Sequence, residues 1–217
     1  MARRTAFFDR AVLDALDRGV CQIVILGAGY DGRALRFASP GVTWFEVDHP
    51  ATQADKRVRL TTVGALTSDI VFVPVDLNRH DLVRSLESGG FDRTSASLFI
   101  VEGLLGYLPR ATTSRVLTDL RGLATPESRL AVAFPIDSRD QPTVKRLRHR
   151  VRRLVVSALG EPWLTRFSKA DIDEVFDTTG WRVSVELDTP QRYEGHRGVL
   201  ILGEPRSDHT GLRRNLR

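Results

Sequence analysis

The feature that most constrains the fold is a short hydrophobic segment, residues 20–26, that runs directly into a glycine loop. The segment is apolar at odd and even positions alike and rich in β-branched residues, which is typical of a central parallel strand covered on both faces. The loop at residues 27–32 contains three glycines, so the backbone can turn sharply and come close to a ligand. Helix-like composition resumes at Ala34, and we therefore expect free backbone N–H groups to point out of the loop toward a bound molecule.

A second predicted strand, residues 42–48, ends in the carboxylate of Asp48. A strand, glycine loop, helix and second strand with an acidic end predict a site for the ribose of an adenosine cofactor. The spacing Gly27-x-Gly29-x-x-Gly32 matches the dinucleotide fingerprint, but that pattern alone fits two cofactors. A nicotinamide dinucleotide uses the loop for its pyrophosphate, whereas S-adenosylmethionine has no phosphate and places its amino-acid end beside the loop.

The rest of the chain alternates predicted strands and helices, which indicates an α/β fold. Further strands are predicted at residues 70–76, 97–101, 130–134, 181–187 and 198–202. Pro74 favours an edge position for the third strand, and about ten residues between the last two strands are too few for a helical crossover. We therefore predict a Rossmann-like, doubly wound sheet of seven strands that is mostly parallel and closes with an antiparallel C-terminal hairpin.

The length of 217 residues favours one domain, which we place at residues 1–204, with a helical lid insertion at about 140–168 and a disordered basic tail at 205–217. The only cysteine is Cys21, which excludes a disulfide framework and is expected to be a small buried side chain in the first strand. The basic N-terminus lacks an apolar signal core and no segment approaches membrane-spanning length, so we expect a cytoplasmic protein without a membrane partner.

The net charge of +5 is concentrated in a basic cluster at residues 145–153, within the predicted lid. Such a cluster fits either an anionic partner or a solvated helix face, and both interpretations stay open. A nucleic-acid binder or RNA methyltransferase would be expected to interleave exposed aromatic residues with the arginines, and this cluster contains none. We therefore expect no nucleic-acid partner and leave a homo-oligomer open.

Five motifs recur together in one known family. They are Arg4-Thr5-x-x-Phe8-Asp9, the run from Cys21 through Gly27-Ala28-Gly29 to Asp31-x-Arg33, Glu46-Val47-Asp48-x-Pro50, Val75-Asp76-Leu77, and Glu102-Gly103-x-Leu105-x-Tyr107-Leu108. In this order they resemble the leucine carboxyl methyltransferase family of class I S-adenosylmethionine-dependent methyltransferases. The resemblance covers roughly residues 4–136. The family usually has Thr in place of Gly32, which is expected to cost some loop rigidity and to leave the backbone contacts available. It also usually has a longer segment before Arg4, so the site here is expected to be more open or completed by another chain.

The resemblance implies a role for individual residues in binding S-adenosylmethionine. It places the methionine end beside Gly27, Ala28 and Gly29, its carboxylate against Arg4, and its amino group near Glu102. Asp48 would bind the ribose hydroxyls, and Asp76 with Leu77 would frame the adenine. Tyr107 is an acceptor-binding candidate, as are Arg146 and Arg150 of the basic cluster; no catalytic residue and no metal site is assigned. The ordinary alternatives are that Arg4 is solvated, that Asp48 and Asp76 cap strand ends, that Glu102 interacts with a helix dipole and that Tyr107 packs in the core.

The resemblance implies an O-methyltransferase, and the chemistry favours a carboxylate of a small molecule or peptide as the acceptor. A carboxylate has a pKa of about 4, so it is already ionised and needs no catalytic base, whereas a hydroxyl usually needs one. No histidine or aspartate dyad stands out in the sequence. A phenol or hydroxyl of a natural product is the alternative acceptor. An NAD-dependent oxidoreductase is a second alternative, but it leaves Asp76 and Glu102 unexplained.

Overall fold

The structure is a computed structural model that describes residues 2–136, 165–193 and 196–206. Within these ranges the chain forms one seven-stranded sheet with helices on both faces. The strands are β1 Gln22–Leu26, β2 Thr43–Asp48, β3 Ile70–Pro74, β4 Ser97–Val101, β5 Arg129–Pro135, β6 Trp181–Tyr193 and β7 His196–Pro205. The helices are α1 Ala2–Asp17, α2 Arg33–Arg36, α3 Pro50–Thr62, α4 Leu82–Ser88, α5 Arg110–Leu123 and α6 Lys169–Thr179, with a short 3-10 helix at Leu105–Tyr107.

The strand order in the sheet is β3-β2-β1-β4-β5-β7-β6. Strands β1 to β5 pair in parallel, and β7 is antiparallel to both of its neighbours. This arrangement confirms the predicted Rossmann-like sheet with its antiparallel C-terminal hairpin. It also confirms the edge position of β3, where Pro74 is tolerated because one side of the strand has no ladder to donate to.

The sheet separates two hydrophobic clusters, one on each face. All five residues of β1 are buried, as expected for a central strand covered on both sides. One face packs against α1 through Phe8, Val12 and Ala15, and the other packs against α5 and α6. Burying a large apolar side chain such as that of Phe8 or Val12 contributes about 1.5–3 kcal/mol of hydrophobic stabilisation. The buried face of α1 therefore fixes the polar residues of α1 relative to the sheet.

The last helix, α6, is capped at both of its ends. Ser168 and Asp171 form a reciprocal capping box, and Gly180 ends α6 with a φ of 77°. The guanidinium of Arg110 at the start of α5 also pairs with Asp171, which ties the two helices together. The hydrogen bond from the Arg110 guanidinium, together with that from the Ser168 backbone, holds the pKa of Asp171 well below its ordinary value.

Two sequence-based expectations are wrong. Cys21 is exposed, because β1 begins one residue later at Gln22, a buried residue whose amide donates to the Asp92 carbonyl at 2.9 Å. The strands of the C-terminal hairpin are longer than predicted, since Thr189 pairs with Gly198 and the ladder continues to Tyr193. The hydrophobic alternation ends well before the backbone pairing does, so the sequence pattern predicts a longer connecting loop than the structure has.

Most of the predicted lid and nearly all of the predicted tail lie outside the described residues. The lid is described only from residue 165 onward, and the tail only at Pro205, which ends β7, and Arg206. Arg206 donates a backbone hydrogen bond to the Gly180 carbonyl at 2.9 Å. In the described part of the chain, no helix combines the length and the apolar character that crossing a membrane requires.

Candidate functional site

The candidate site lies at the carboxyl edge of the sheet, where β1, β2 and β4 end side by side. The glycine loop leaves β1 here, and the N–H groups of Gly27 and Ala28 both donate to the Val47 carbonyl, at 2.8 and 3.1 Å. Gly27 has a φ of 66°, and a Cβ added to it would lie 3.1 Å from the side chain of Leu104. Both the backbone conformation and the close approach of Leu104 therefore require glycine at this position.

Gly32 differs from the other glycines of the loop. Its φ is −101°, and a Cβ added to it would have no described atom within 4 Å. In a dinucleotide fingerprint the third glycine permits close packing of helix against strand. Because that packing is missing at Gly32, the literal match to the fingerprint does not carry its structural meaning. An alanine Cβ has room at this position.

Asp48 binds the backbone of the glycine loop. Its carboxylate accepts hydrogen bonds from the N–H of Gly29 at 2.5 Å and from the N–H of His49 at 2.6 Å. These are the contacts of a strand-end cap, the alternative that the sequence left open. A carboxylate offers about four acceptor positions, so these two bonds leave room for a ribose diol. The cap and the predicted binding role are therefore compatible in one side chain.

Asp76 and Leu77 follow β3 at the same edge of the sheet. The Asp76 carboxylate accepts from the N–H of Asn78 at 3.0 Å and lies 3.5 Å from the guanidinium of Arg79. Leu77 is buried, and its carbonyl accepts a hydrogen bond from Arg115 of α5. These contacts stabilise the conformation of the segment after β3.

Glu102 and Arg4 are 98 residues apart in sequence and form an ion pair in the structure. Glu102 follows β4 directly, and Arg4 lies in the first turns of α1. The next residue, Gly103, has a φ of 70°, and a Cβ there would lie 3.3 Å from Arg4 Nη2. The chain therefore brings a carboxylate and a guanidinium together beside the glycine loop.

Arg33 is a functional candidate to which the sequence analysis gave no role. Its side chain is only 5% exposed, and its guanidinium pairs with Asp9 at 2.8 Å, Asp31 at 2.5 Å and Glu102 at 2.7 Å. Burial acts to lower the pKa of Arg33, but the charges of Asp31 and Glu102 outweigh it and the pKa is raised. The sequence signal for this residue is the motif Asp31-x-Arg33, although the motif alone assigns no function to its arginine.

A second buried ion pair, Lys56 with Glu46, contacts the glycine loop. Lys56 Nζ of α3 lies 2.6 Å from Glu46 Oε2 and donates to the Asp31 carbonyl at 2.8 Å. Both side chains are almost fully buried. Burial raises the pKa of Glu46, and the Lys56 ammonium offsets part of that rise. No signal in the sequence pointed to Lys56, because a lysine in an amphipathic helix is ordinarily exposed.

The remaining candidates are placed only in part. Tyr107 is half-buried in the 3-10 helix that follows Glu102, close to the carbonyl of Gly106 that accepts from the N–H of Thr165 at 3.1 Å. Arg146 and Arg150 lie outside the described residues. Across residues 2–136, 165–193 and 196–206, no three His, Cys, Asp or Glu side chains are grouped to hold a metal ion.

Comparison with known proteins gives a family and several relatives. The model of the family described as leucine carboxyl methyltransferase matches residues 1–121. A Mycobacterium sp. (strain JLS) protein is 40% identical over 200 residues, which are 91% of this chain and 61% of that protein. A Mycobacterium tuberculosis (strain ATCC 25618 / H37Rv) protein is 35% identical over 206 residues, 89% of this chain and 65% of that protein. Both names contain "Putative S-adenosyl-L-methionine-dependent methyltransferase". The chain thus spans less than two thirds of the length of these relatives.

Solved structures share the fold. Magnesium protoporphyrin IX methyltransferase from Synechocystis PCC 6803 with bound SAH superposes with a TM-score of 0.61 at 16% identity, over 94% of this chain and 83% of that chain. Mitomycin 7-O-methyltransferase superposes with a TM-score of 0.59 at 20% identity, over 86% of this chain and 49% of that chain. At such identities the likeness supports the Rossmann-like fold that the strand order already shows.

Proposed function

The chain belongs to the leucine carboxyl methyltransferase family of S-adenosylmethionine-dependent methyltransferases, and we propose that it binds S-adenosylmethionine and methylates a carboxylate of a small molecule or peptide. The cytoplasmic location and the nature of the acceptor stay predictions from the sequence. One observation carries the proposal: the ion pair of Arg4 and Glu102 beside the glycine loop.

The Arg4 and Glu102 pair supports S-adenosylmethionine rather than a nicotinamide dinucleotide. The amino-acid end of S-adenosylmethionine is a zwitterion, with an ammonium that needs a carboxylate and a carboxylate that suits a guanidinium. The two side chains offer both charges at one point, next to Gly27. A pyrophosphate would instead meet the carboxylate of Glu102, and like charges repel.

The adenosine end has candidate partners along the same edge. Asp48 keeps acceptor capacity for the ribose, and the segment at Asp76 and Leu77 is held in place for the adenine. Ligands of open α/β sheets bind outside the carboxyl ends of the strands. The residues present therefore fit the cofactor at both of its ends.

S-adenosylmethionine supplies an activated methyl group on a sulfonium centre. The protein's contribution is then to bind the cofactor, to hold the acceptor in line and to exclude water. The described site offers Asp48, Asp76 and Glu102 as carboxylates already engaged in hydrogen bonds or ion pairs. Because these three carboxylates have other partners, none of them is placed as a general base, and a carboxylate acceptor needs none since it is already ionised at neutral pH.

A product assay tests the carboxylate proposal. The purified protein is incubated with methyl-labelled S-adenosylmethionine and a panel of matched carboxylic acids and phenols, and products are identified by mass spectrometry. We expect labelled methyl esters, which mild base hydrolyses, whereas methyl ethers of phenols survive the same treatment. Transfer to phenols with no transfer to any acid would contradict the carboxylate proposal and favour hydroxyl methylation.

A further inference from the structure

Arg33 joins three parts of the candidate site. It is the first residue of α2, and its guanidinium contacts Asp9 of α1, Asp31 of the glycine loop and Glu102 after β4. The guanidinium also lies over the ring of Phe8, 5.3 Å from the centroid. A buried cation is costly unless its partners are close and well oriented, and here three carboxylates surround it. Arg33 is therefore fixed by several independent contacts.

Glu102 is shared between two arginines. Its Oε1 pairs with Arg4 and its Oε2 lies 2.7 Å from Arg33 Nη1. The two arginines differ in their surroundings, because the Arg4 side chain is 25% exposed and the Arg33 side chain only 5%. Arg4 can change partners at a smaller cost than Arg33.

We propose that Arg33 is a positioning residue that holds Glu102 in place for the ammonium of the cofactor while Arg4 turns toward the cofactor carboxylate. This inference rests on the proposed function, because it assumes the amino-acid end of S-adenosylmethionine beside Glu102. When Arg4 pairs with the ligand, Glu102 loses one of its cations. Arg33 remains and keeps a countercharge 2.7 Å from the second oxygen of Glu102.

This role predicts a selective effect on one end of the cofactor. Arg33 contacts Glu102 and the loop, whereas the adenosine candidates Asp48 and Asp76 have other partners. A change at Arg33 should weaken ligands that carry the amino-acid end and spare those that lack it. S-adenosylhomocysteine carries that end, and 5′-methylthioadenosine retains the adenosine and the sulfur without it. A general loss of structure would weaken both ligands alike.

The test compares Arg33→Lys with Arg36→Lys by isothermal titration calorimetry against both ligands. Arg36 is a matched control because it lies in the same helix and pairs with the same Asp9, at 2.9 Å. Within the described residues, Arg33 pairs with Glu102 and Arg36 does not. We expect Arg33→Lys to lower the affinity for S-adenosylhomocysteine by on the order of tenfold relative to that for 5′-methylthioadenosine, the scale of a lost charged hydrogen bond.

The preference between the two ligands should be unchanged in Arg36→Lys. An unchanged preference in Arg33→Lys, or an equal loss of preference in Arg36→Lys, would overturn the inference. If Arg33→Lys does not fold, Asp9→Asn takes its place: it removes one of the carboxylates that fix the Arg33 guanidinium, so it should loosen the contact of Arg33 with Glu102 and also reduce the preference. An unchanged preference in that variant would overturn the inference too. A wild-type protein that bound neither ligand would instead refute the proposed function itself.

Discussion

Gly27→Ala and Gly32→Ala should have opposite effects on stability, although both remove a glycine from the same loop. Gly27 has a φ of 66°, where an L-residue costs about 1–2 kcal/mol. The new Cβ would also lie 3.1 Å from the Leu104 side chain, and such overpacking costs about 1–3 kcal/mol. We therefore expect Gly27→Ala to lower the free energy of unfolding by about 2–5 kcal/mol.

Gly32→Ala should be neutral or stabilising. Gly32 has a φ of −101°, which alanine adopts without strain, and its Cβ would have no described atom within 4 Å. Replacing glycine at such a position stabilises by about 0.4–1 kcal/mol, because the unfolded chain loses freedom. The two variants should thus differ by about 3 kcal/mol or more, which in a chain of this size corresponds to about 6–12 °C in Tm.

Thermal and urea unfolding of the two purified variants measure this difference, and calorimetry with S-adenosylhomocysteine follows the effect on the loop. Gly27→Ala should also weaken binding of S-adenosylhomocysteine, whereas Gly32→Ala should bind it as the wild type does. Equal destabilisation by the two changes would refute this explanation of the loop. It would mean that Gly32 is packed as the third glycine of a dinucleotide fingerprint is, and would revive the NAD alternative.

Three further predictions concern the cofactor, pH and the acceptor. Asp48→Ala should weaken cofactor binding by about 1.5–3 kcal/mol, and an unchanged affinity in calorimetry would remove Asp48 from the site. The pKa of Asp171 is lowered, chiefly by Arg110, so its ionised form stabilises the fold above the unfolded-state pKa of about 4 and that stability is lost as pH falls further. In urea unfolding the advantage of wild type over Asp171→Asn should shrink below that pH, and a constant difference would contradict it. Changing three arginines of the basic cluster, Arg146, Arg150 and Arg153, to Glu should raise the KM for the acceptor and leave the cofactor affinity nearly unchanged. If neither this change nor added salt affected turnover of the acceptor, the cluster would be a solvated helix face.

The sheet could be predicted because its strands carry strong local signals. A continuous apolar segment predicts a buried central strand, and a proline favours an edge strand. A short connection between the last two strands requires them to be antiparallel. The errors arose where backbone pairing and hydrophobic pattern differ. Cys21 continues the apolar segment but precedes Gln22, the first residue of β1. In the C-terminal hairpin, the backbone pairing extends beyond the apolar positions.

The candidate site could be predicted only through its motifs. Asp48, Asp76 and Glu102 follow strands, so their shared edge follows from a parallel sheet. The buried cations were harder to foresee, because charged residues are ordinarily exposed and their burial depends on partners far away in sequence. Arg33 meets Glu102 and Lys56 meets Glu46 only once the strands and helices are assembled.

Cofactor choice is the central claim, and one calorimetric comparison tests it most directly. The purified wild-type protein is titrated with S-adenosylhomocysteine and, separately, with NAD under identical conditions. The Arg4 and Glu102 pair beside the glycine loop, together with the open Cβ position at Gly32, predicts saturable binding of S-adenosylhomocysteine and no heat of binding from NAD. Saturable binding of NAD with no response to S-adenosylhomocysteine would contradict the proposed function.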